Sequence, residues 1–239
     1  MKALLLLLFS SLKWGKIGVT AGTMLLSLAI YASVWGWRYA AGFVGLLFVH
    51  EMGHFIAARQ RGLKVGAPTF IPFVGAWIEL KEQPLDAETE AYVGMGGPFL
   101  GAVAALCVYL WARHVGSGLL LAISYAGFFL NLFNLLPLSP LDGGRITAVL
   151  SPRVWLLGAP MMLGLMFYWP SPMLILVAVL ALPQLAKAWR YDPKAPENAA
   201  YYGVPLAVKL EYGAGYLGLA ALLAVMTFEV HEMLAGVGG

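Results

Sequence analysis

Residues 46–58 read LLFVHEMGHFIAA and place two histidines and a glutamate inside an otherwise apolar segment. Ionisable side chains are costly in a membrane-spanning helix and usually serve a function there. On a helix, His50 and His54 are four residues apart and lie on one face, so their rings can meet at one point. This spacing is the geometry of two nitrogen ligands on one zinc ion.

The glutamate between the histidines adds a second chemical group. Glu51 follows His50 directly and is offset from it by about 100° around the helix. It can therefore reach a water beside the metal without being a ligand. His-Glu-x-x-His is the signature of zinc metalloproteases, in which the glutamate is the general base. A histidine pair in the proton relay of a transporter is the alternative interpretation of the same residues.

The whole chain is strongly apolar. Of its 239 residues, 61% are hydrophobic and 11% are charged, which indicates an integral membrane protein. A spanning helix needs about 20 mostly apolar residues. We predict an all-α polytopic membrane protein with about six to seven transmembrane helices. The apolar segments lie near residues 17–37, 39–59, 91–112, 119–138, 154–169, 171–187 and 212–230. The fifth and sixth form either a tight hairpin of spans or one broken excursion.

These segments predict a single integral membrane domain over residues 1–239, with a catalytic core at about 39–150. The short apolar run at the start of the chain has no small-residue cleavage pattern after it, so we expect it to be retained. The polar, proline-containing segment near 188–211 predicts a cytosolic linker. The additional spans are expected at about 17–37, 154–187 and 212–230.

The basic residues predict the orientation. If the N-terminus is cytosolic, only Arg38 and Arg113 of the fifteen lysines and arginines lie outside, and the other thirteen lie inside. Such a bias follows the positive-inside rule. We therefore expect a cytosolic N-terminus and a location in the cell membrane, with the lipid bilayer as a partner. No basic cluster with interleaved aromatic residues is present, so we expect no nucleic-acid partner.

The loop after the second segment is unusual. Residues 66–80 read GAPTFIPFVGAWIEL, which is apolar but carries Pro68, Pro72 and Gly75. The segment is too short to span and is a poor helix. Apolar non-helical backbone at membrane depth persists only where protein or a water-filled cavity satisfies it. We predict a re-entrant β-like hairpin, with a plain surface loop as the alternative.

A catalytic zinc usually has three protein ligands. By the predicted topology, the fourth segment delivers Asp142, in PLDGG, to the same cytosolic end as His54. The alternative is that Asp142 caps a helix over 143–150. The remaining candidates lie near the outer ends of spans or in polar loops: His114, His231, Asp86 and Asp192.

HEMGH and PLDGG on two neighbouring spans resemble the site-2 protease family of intramembrane zinc metalloproteases. The resemblance covers about residues 40 to 150. It implies that His50, His54 and Asp142 bind one Zn²⁺ per chain and that Glu51 is the catalytic base. It also implies a transmembrane protein substrate, cut in or beside the membrane as in regulated intramembrane proteolysis. A homo-oligomer is compatible with the sequence.

Three further features follow from the resemblance. Asn134 matches an asparagine of the family and would bond the substrate carbonyl or the oxyanion, or else make a helix-to-helix contact. Gly97 and Gly101, in GGPFLG, match a small-residue pattern. Many members have asparagine at the position of Gly101, so here we predict close helix packing instead. The hairpin at 66–80 would hold an extended substrate by strand addition, which a proline at Phe73 or Val74 should impair.

Two rival functions remain at this point. A metal or proton transporter would use the same His/Asp cluster, and a non-catalytic pseudoprotease would bind membrane segments without cutting them. Glu51→Gln separates a protease from a transporter. The protease keeps its metal and loses turnover, whereas a transporter retains flux.

Overall fold

The computed structural model describes residues 2–71, 75–80 and 84–237. Over these residues the protein is mostly helical, with two paired strands. The elements are α1 (Lys2–Trp35), α2 (Trp37–Gln60), β1 (Val65–Ile71), β2 (Gly75–Leu80), α3 (Ala87–Val115), α4 (Gly118–Asn134), α5 (Asp142–Thr147), a 3₁₀ helix (Pro152–Val154), α6 (Trp155–Tyr168), α7 (Pro172–Trp189), α8 (Pro196–Tyr202) and α9 (Leu206–Val237).

Several of these helices have the length and apolar composition of membrane spans. Within the described residues five helices meet both criteria: Gly18–Trp35, Trp37–Gln60, Ala87–Val115, Pro172–Trp189 and Leu206–Gly236. Helix α4 is apolar but shorter. The protein is therefore an integral membrane protein. Each predicted apolar segment falls on a helix, and the number of crossings stays a prediction.

The ends of α3 follow from local chemistry. Asp86 precedes the helix, and its side chain accepts a hydrogen bond from the Thr89 N–H at 2.7 Å. This is an N-cap, which satisfies one of the unpaired N–H groups at a helix start. At the other end, Gly116 adopts a left-handed conformation with φ 65°, and Ser117 caps α4 by accepting from the Leu120 N–H. Hydropathy alone placed the start of this helix at residue 91, because its first turn is acidic.

The central helices pack in sequence order, α2 against α3 and α3 against α4, and α9 lies against α4. One core cluster joins the small residues Ala102 and Ala105 of α3 with Phe128 of α4 and Leu223 and Val230 of α9. Small side chains allow close helix contact in a membrane, where burial from water does not drive association. The last helix is thus part of this core.

Strands β1 and β2 pair antiparallel, with Thr69 opposite Trp77. The register shifts between Val65 and Pro68, where the proline has no N–H to donate to the ladder. Strand β1 packs against α1, and β2 packs against α2. The connecting residues 72–74, which include Phe73 and Val74, lie outside the described residues. The re-entrant placement of this pair stays a prediction.

The segment between α4 and α5 carries Asp142 to the core. It contains a cis peptide bond between Ser139 and Pro140. Asp142 is the first residue of α5, and the N-cap position is Leu141, which makes no side-chain cap. Asp142 is therefore not the N-cap of this helix, which was the alternative to a role as metal ligand. Helix α5 packs against α3, which brings Asp142 towards the neighbouring α2.

The predicted linker at 188–211 contains a short helix, α8. Its Tyr201 hydroxyl donates to the Glu90 carboxylate of α3 at 2.7 Å. Its Tyr202 is buried in a cluster with Ala87 and Trp155. This part of the chain is therefore attached to one end of α3, which hydropathy could not indicate because the contacts are made by polar and aromatic side chains.

Candidate metal centre

Two imidazoles from successive turns of α2 meet at one point. His50 is 3% exposed and His54 is 6% exposed. Their Nε2 atoms lie 3.2 Å apart, as the four-residue spacing predicts. Both rings are therefore buried with one nitrogen of each directed to the same place.

Asp142 completes a triangle with these two nitrogens. Its Oδ2 lies 3.2 Å from His50 Nε2 and 3.2 Å from His54 Nε2. In a tetrahedral zinc site with bonds of about 2.0–2.1 Å, neighbouring ligand atoms stand about 3.3 Å apart. The three atoms thus have the spacing of three corners of such a site. Together His50, His54 and Asp142 form a cluster that could hold a metal ion.

The protonation of the histidines supports this fit. His54 Nδ1 lies 2.8 Å from the Val93 carbonyl. A carbonyl oxygen only accepts, so this nitrogen carries the proton and Nε2 keeps a lone pair in the neutral ring. A lone pair on Nε2 and a carboxylate oxygen repel each other unless a proton or a cation lies between them. The donor set therefore suits a bound cation.

A carboxyl group such as that of Asp142 binds a metal in its ionised form. Burial raises the pKa of Asp142, but the His54 and His50 side chains, when protonated, lower it by more, so the pKa then lies well below its usual range. The second oxygen, Oδ1, lies 3.8 Å from Arg145 Nη1. A guanidinium at this distance favours the ionised form of the carboxylate.

Helix α3 leaves room for the site by carrying glycine at two positions. A Cβ atom on Gly97 would overlap the Nε2 of His54, and one on Gly101 would overlap the amide of Asn131. The two glycines therefore pack closely against neighbouring helices, as predicted, and the groups that they contact are polar side chains of α2 and α4. Alanine at either position would displace a group of the site.

Glu51 and Asn134 complete the set of predicted site residues. Glu51 is 6% exposed and follows His50 on α2. Asn134 is partly buried, and its amide donates to the Leu130 carbonyl of its own helix at 3.1 Å. The catalytic role of each residue stays a prediction.

Sequence reasoning missed one residue of this site. The side-chain oxygen of Asn131 lies 2.8 Å from His50 Nδ1, and Asn131 is 1% exposed. The available signal was a second asparagine in the apolar run of α4, three positions before Asn134.

Three of the candidates set aside as third ligands have other contacts. Asp86 caps α3. Asp192 accepts from the Lys194 N–H at 2.9 Å. His231 lies beside Tyr125, with the ring centroids 5.8 Å apart.

Comparisons with known proteins show which proteins the chain is similar to. Residues 38–126 match Peptidase family M50. The chain is 31% identical over 118 residues to a zinc metalloprotease of Methanocaldococcus jannaschii, covering 45% of this chain and 34% of that one. It is 35% identical over 75 residues to a probable chloroplastic zinc metalloprotease of Arabidopsis thaliana, covering 29% and 14%. The chain thus spans about a third or less of the length of these relatives.

A solved site-2 protease structure from Methanocaldococcus jannaschii aligns with 70% of this chain and 86% of that one, at 21% identity and a TM-score of 0.47. The family match and the sequence relatives confirm the resemblance to the site-2 protease family. The matched family segment contains His50, Glu51 and His54 and ends before Asp142.

Proposed function

We propose that the protein is an intramembrane zinc metalloprotease that hydrolyses peptide bonds in or near transmembrane segments of other membrane proteins. The observation that carries the proposal is the triangle of His50 Nε2, His54 Nε2 and Asp142 Oδ2, with edges of 3.2 Å. It lies beside the buried Glu51, and the described residues include five candidate spans. The printed descriptions of the relatives, zinc metalloproteases, support the same activity.

Three residues would hold the metal: His50, His54 and Asp142. The chemistry that zinc supplies when bound is that of a Lewis acid, which makes a water more acidic and polarises a carbonyl group. Three protein ligands leave a position open for a reactant. Zinc suits this set because imidazole and carboxylate are among its usual ligands.

Glu51 would move the proton. Its carboxylate takes a proton from the attacking water and then delivers that proton to the leaving nitrogen. The position next to His50, offset by about 100° around the helix, keeps Glu51 off the metal-binding face while leaving it near the reacting atoms. Asn134 would bond the substrate carbonyl with the second N–H of its amide, since the first is donated to the Leu130 carbonyl.

The substrate would be held as an extended segment. A transmembrane helix hides its peptide bonds in its own hydrogen bonds, so it must unwind locally before it can be cut. The pair formed by β1 and β2 offers a strand edge to which such a segment can add.

The orientation that fits the basic residues is a cytosolic N-terminus in the cell membrane. The mechanism requires one chain, and a homo-oligomer is compatible with it.

The test compares Glu51→Gln with wild type, using metal analysis and cleavage of a labelled transmembrane substrate. We expect about one zinc ion per chain in both proteins and loss of cleavage by at least about 100-fold in the variant, the usual scale of general-base catalysis. Glu232→Gln is the matched control, because Glu232 is exposed on α9, and it should cut like wild type. Wild-type protein with no zinc would refute the proposal.

The same measurements address the two rival functions. A transporter would retain flux in the Glu51→Gln variant. A pseudoprotease would bind the substrate and leave it intact even as wild type. No contact among the described residues specifically favours either rival.

A further inference from the structure

A buried amide lies behind the metal-facing side of His50. The Oδ1 of Asn131 lies 2.8 Å from His50 Nδ1, and the Nδ2 of Asn131 donates to the Gly127 carbonyl at 2.7 Å. Because a carbonyl oxygen only accepts, the NH₂ group must face Gly127. The amide oxygen is then left to accept from His50, so the orientation of Asn131 is determined by its own helix.

This orientation determines the form of the imidazole. The Asn131 oxygen can accept a hydrogen bond from His50 Nδ1 only if that nitrogen is protonated. The neutral ring of His50 therefore carries its proton on Nδ1 and has its lone pair on Nε2. We propose that Asn131 is a positioning residue that holds His50 in the rotamer and tautomer that present Nε2 to the metal. The proposal rests on the proposed function, since it concerns the same metal. Groups of this kind orient metal-binding histidines and raise their basicity.

The two histidines are held differently. His54 is held by the backbone carbonyl of Val93, which any residue at position 93 would supply. His50 depends on a side chain, so its support can be removed by a single substitution. Mutation can therefore test the support of His50 without altering the ligands themselves.

The space for the amide is shared between two helices. A Cβ on Gly101 of α3 would overlap both the oxygen and the nitrogen of the Asn131 amide. An asparagine at position 131 or at position 101 would therefore place its amide in this space, but only if the residue at the other position is small. The structure predicts that these two positions are exchangeable as a pair and that neither tolerates change alone.

The experiment measures zinc affinity of the purified full chain by competition with a chelator, and the unfolding temperature of each metal-free protein. We expect Asn131→Ala to weaken zinc binding by about 10- to 100-fold while the metal-free protein remains folded. Asn198→Ala is the control: that amide bonds the Asp192 carbonyl in the polar segment after α7, and its loss should leave zinc affinity unchanged.

A rescue separates positioning from a general structural role. Gly101→Asn alone should weaken zinc binding, because its side chain collides with the Asn131 amide. Combining it with Asn131→Gly should restore affinity to within a few-fold of wild type, a coupling that independent sites do not show. A merely structural asparagine would lower the unfolding temperature without this recovery of affinity.

The outcomes distinguish the two proposals. Zinc-binding wild type together with an Asn131→Ala variant that binds equally tightly would overturn the positioning role and leave the protease proposal standing. A folded exchange variant that does not regain affinity would also overturn the positioning role. A wild type that binds no zinc would overturn both.

Discussion

At the residue scale, the space around His54 depends on Gly97. A methyl group at position 97 would overlap the metal-facing nitrogen of that ring. We expect Gly97→Ala to displace the ring and to lower zinc affinity by at least about 10-fold, because metal sites tolerate only small errors in ligand position. The ring is the end of a movable side chain, so the loss of folding stability should be small. Zinc competition and thermal unfolding measure the two effects separately.

Two other glycines provide matched controls for Gly97→Ala. A Cβ on Gly53 would overlap the backbone oxygen of Gly96, which cannot move without separating α2 from α3. Gly53→Ala should therefore cost stability, about 1–3 kcal/mol for an overpacked core. A methyl group at Gly45 of α2 would meet no described heavy atom within 4 Å beyond its own helix, and Gly45→Ala should preserve zinc binding. Equal zinc binding by wild type and Gly97→Ala would contradict the geometry.

At the element scale, α9 has a defined attachment to the segment that carries the third candidate ligand. The Tyr216 hydroxyl donates to the Leu135 carbonyl, just after α4 ends and seven residues before Asp142. Tyr216→Phe leaves that buried carbonyl without this donor. We expect the free energy of unfolding to fall by about 1–2 kcal/mol.

Denaturant unfolding in detergent measures the effect of Tyr216→Phe. Tyr168→Phe is the control, because Tyr168 is 82% exposed at the end of α6, and a surface change of this kind stays within about 0.5 kcal/mol. A loss of the same size in both variants would show that the Leu135 contact does not stabilise the fold.

The elements also show what could be predicted locally. The apolar segments were located from the sequence because hydropathy is a property of consecutive residues. Their ends were less predictable, since a cap such as Asp86 extends a helix into charged residues. The contact of α9 with α4 was not predictable, because its GAGYLG face suits any close helix partner.

For the molecule as a whole, a metal would join parts of the chain that are distant in sequence. His54 and Asp142 are 88 positions apart and lie on α2 and α5. A ligand that binds only the folded state stabilises it by about 4 kcal/mol at a thousand times its dissociation constant. We therefore expect chelation to lower the unfolding temperature of wild type.

The control for this experiment is a variant that lacks one candidate metal ligand and is treated with the same chelator. Asp142→Ala should unfold at the same temperature with and without chelator, because it has lost one of the three candidate ligands. If chelation changes wild type and Asp142→Ala equally, the stabilisation does not come from this site.

The membrane class, the pairing of His50 with His54, and the position of Glu51 beside them all follow from the order of residues, because helical periodicity and hydropathy act between near neighbours. Asp142 could also be found in this way, since alternating spans bring chain segments to a common end. The contact of Asn131 with His50, and the room that Gly101 leaves for it, became evident only in the folded chain. Those contacts depend on how closely three helices approach one another. The spacing of residues along one helix does not determine that distance.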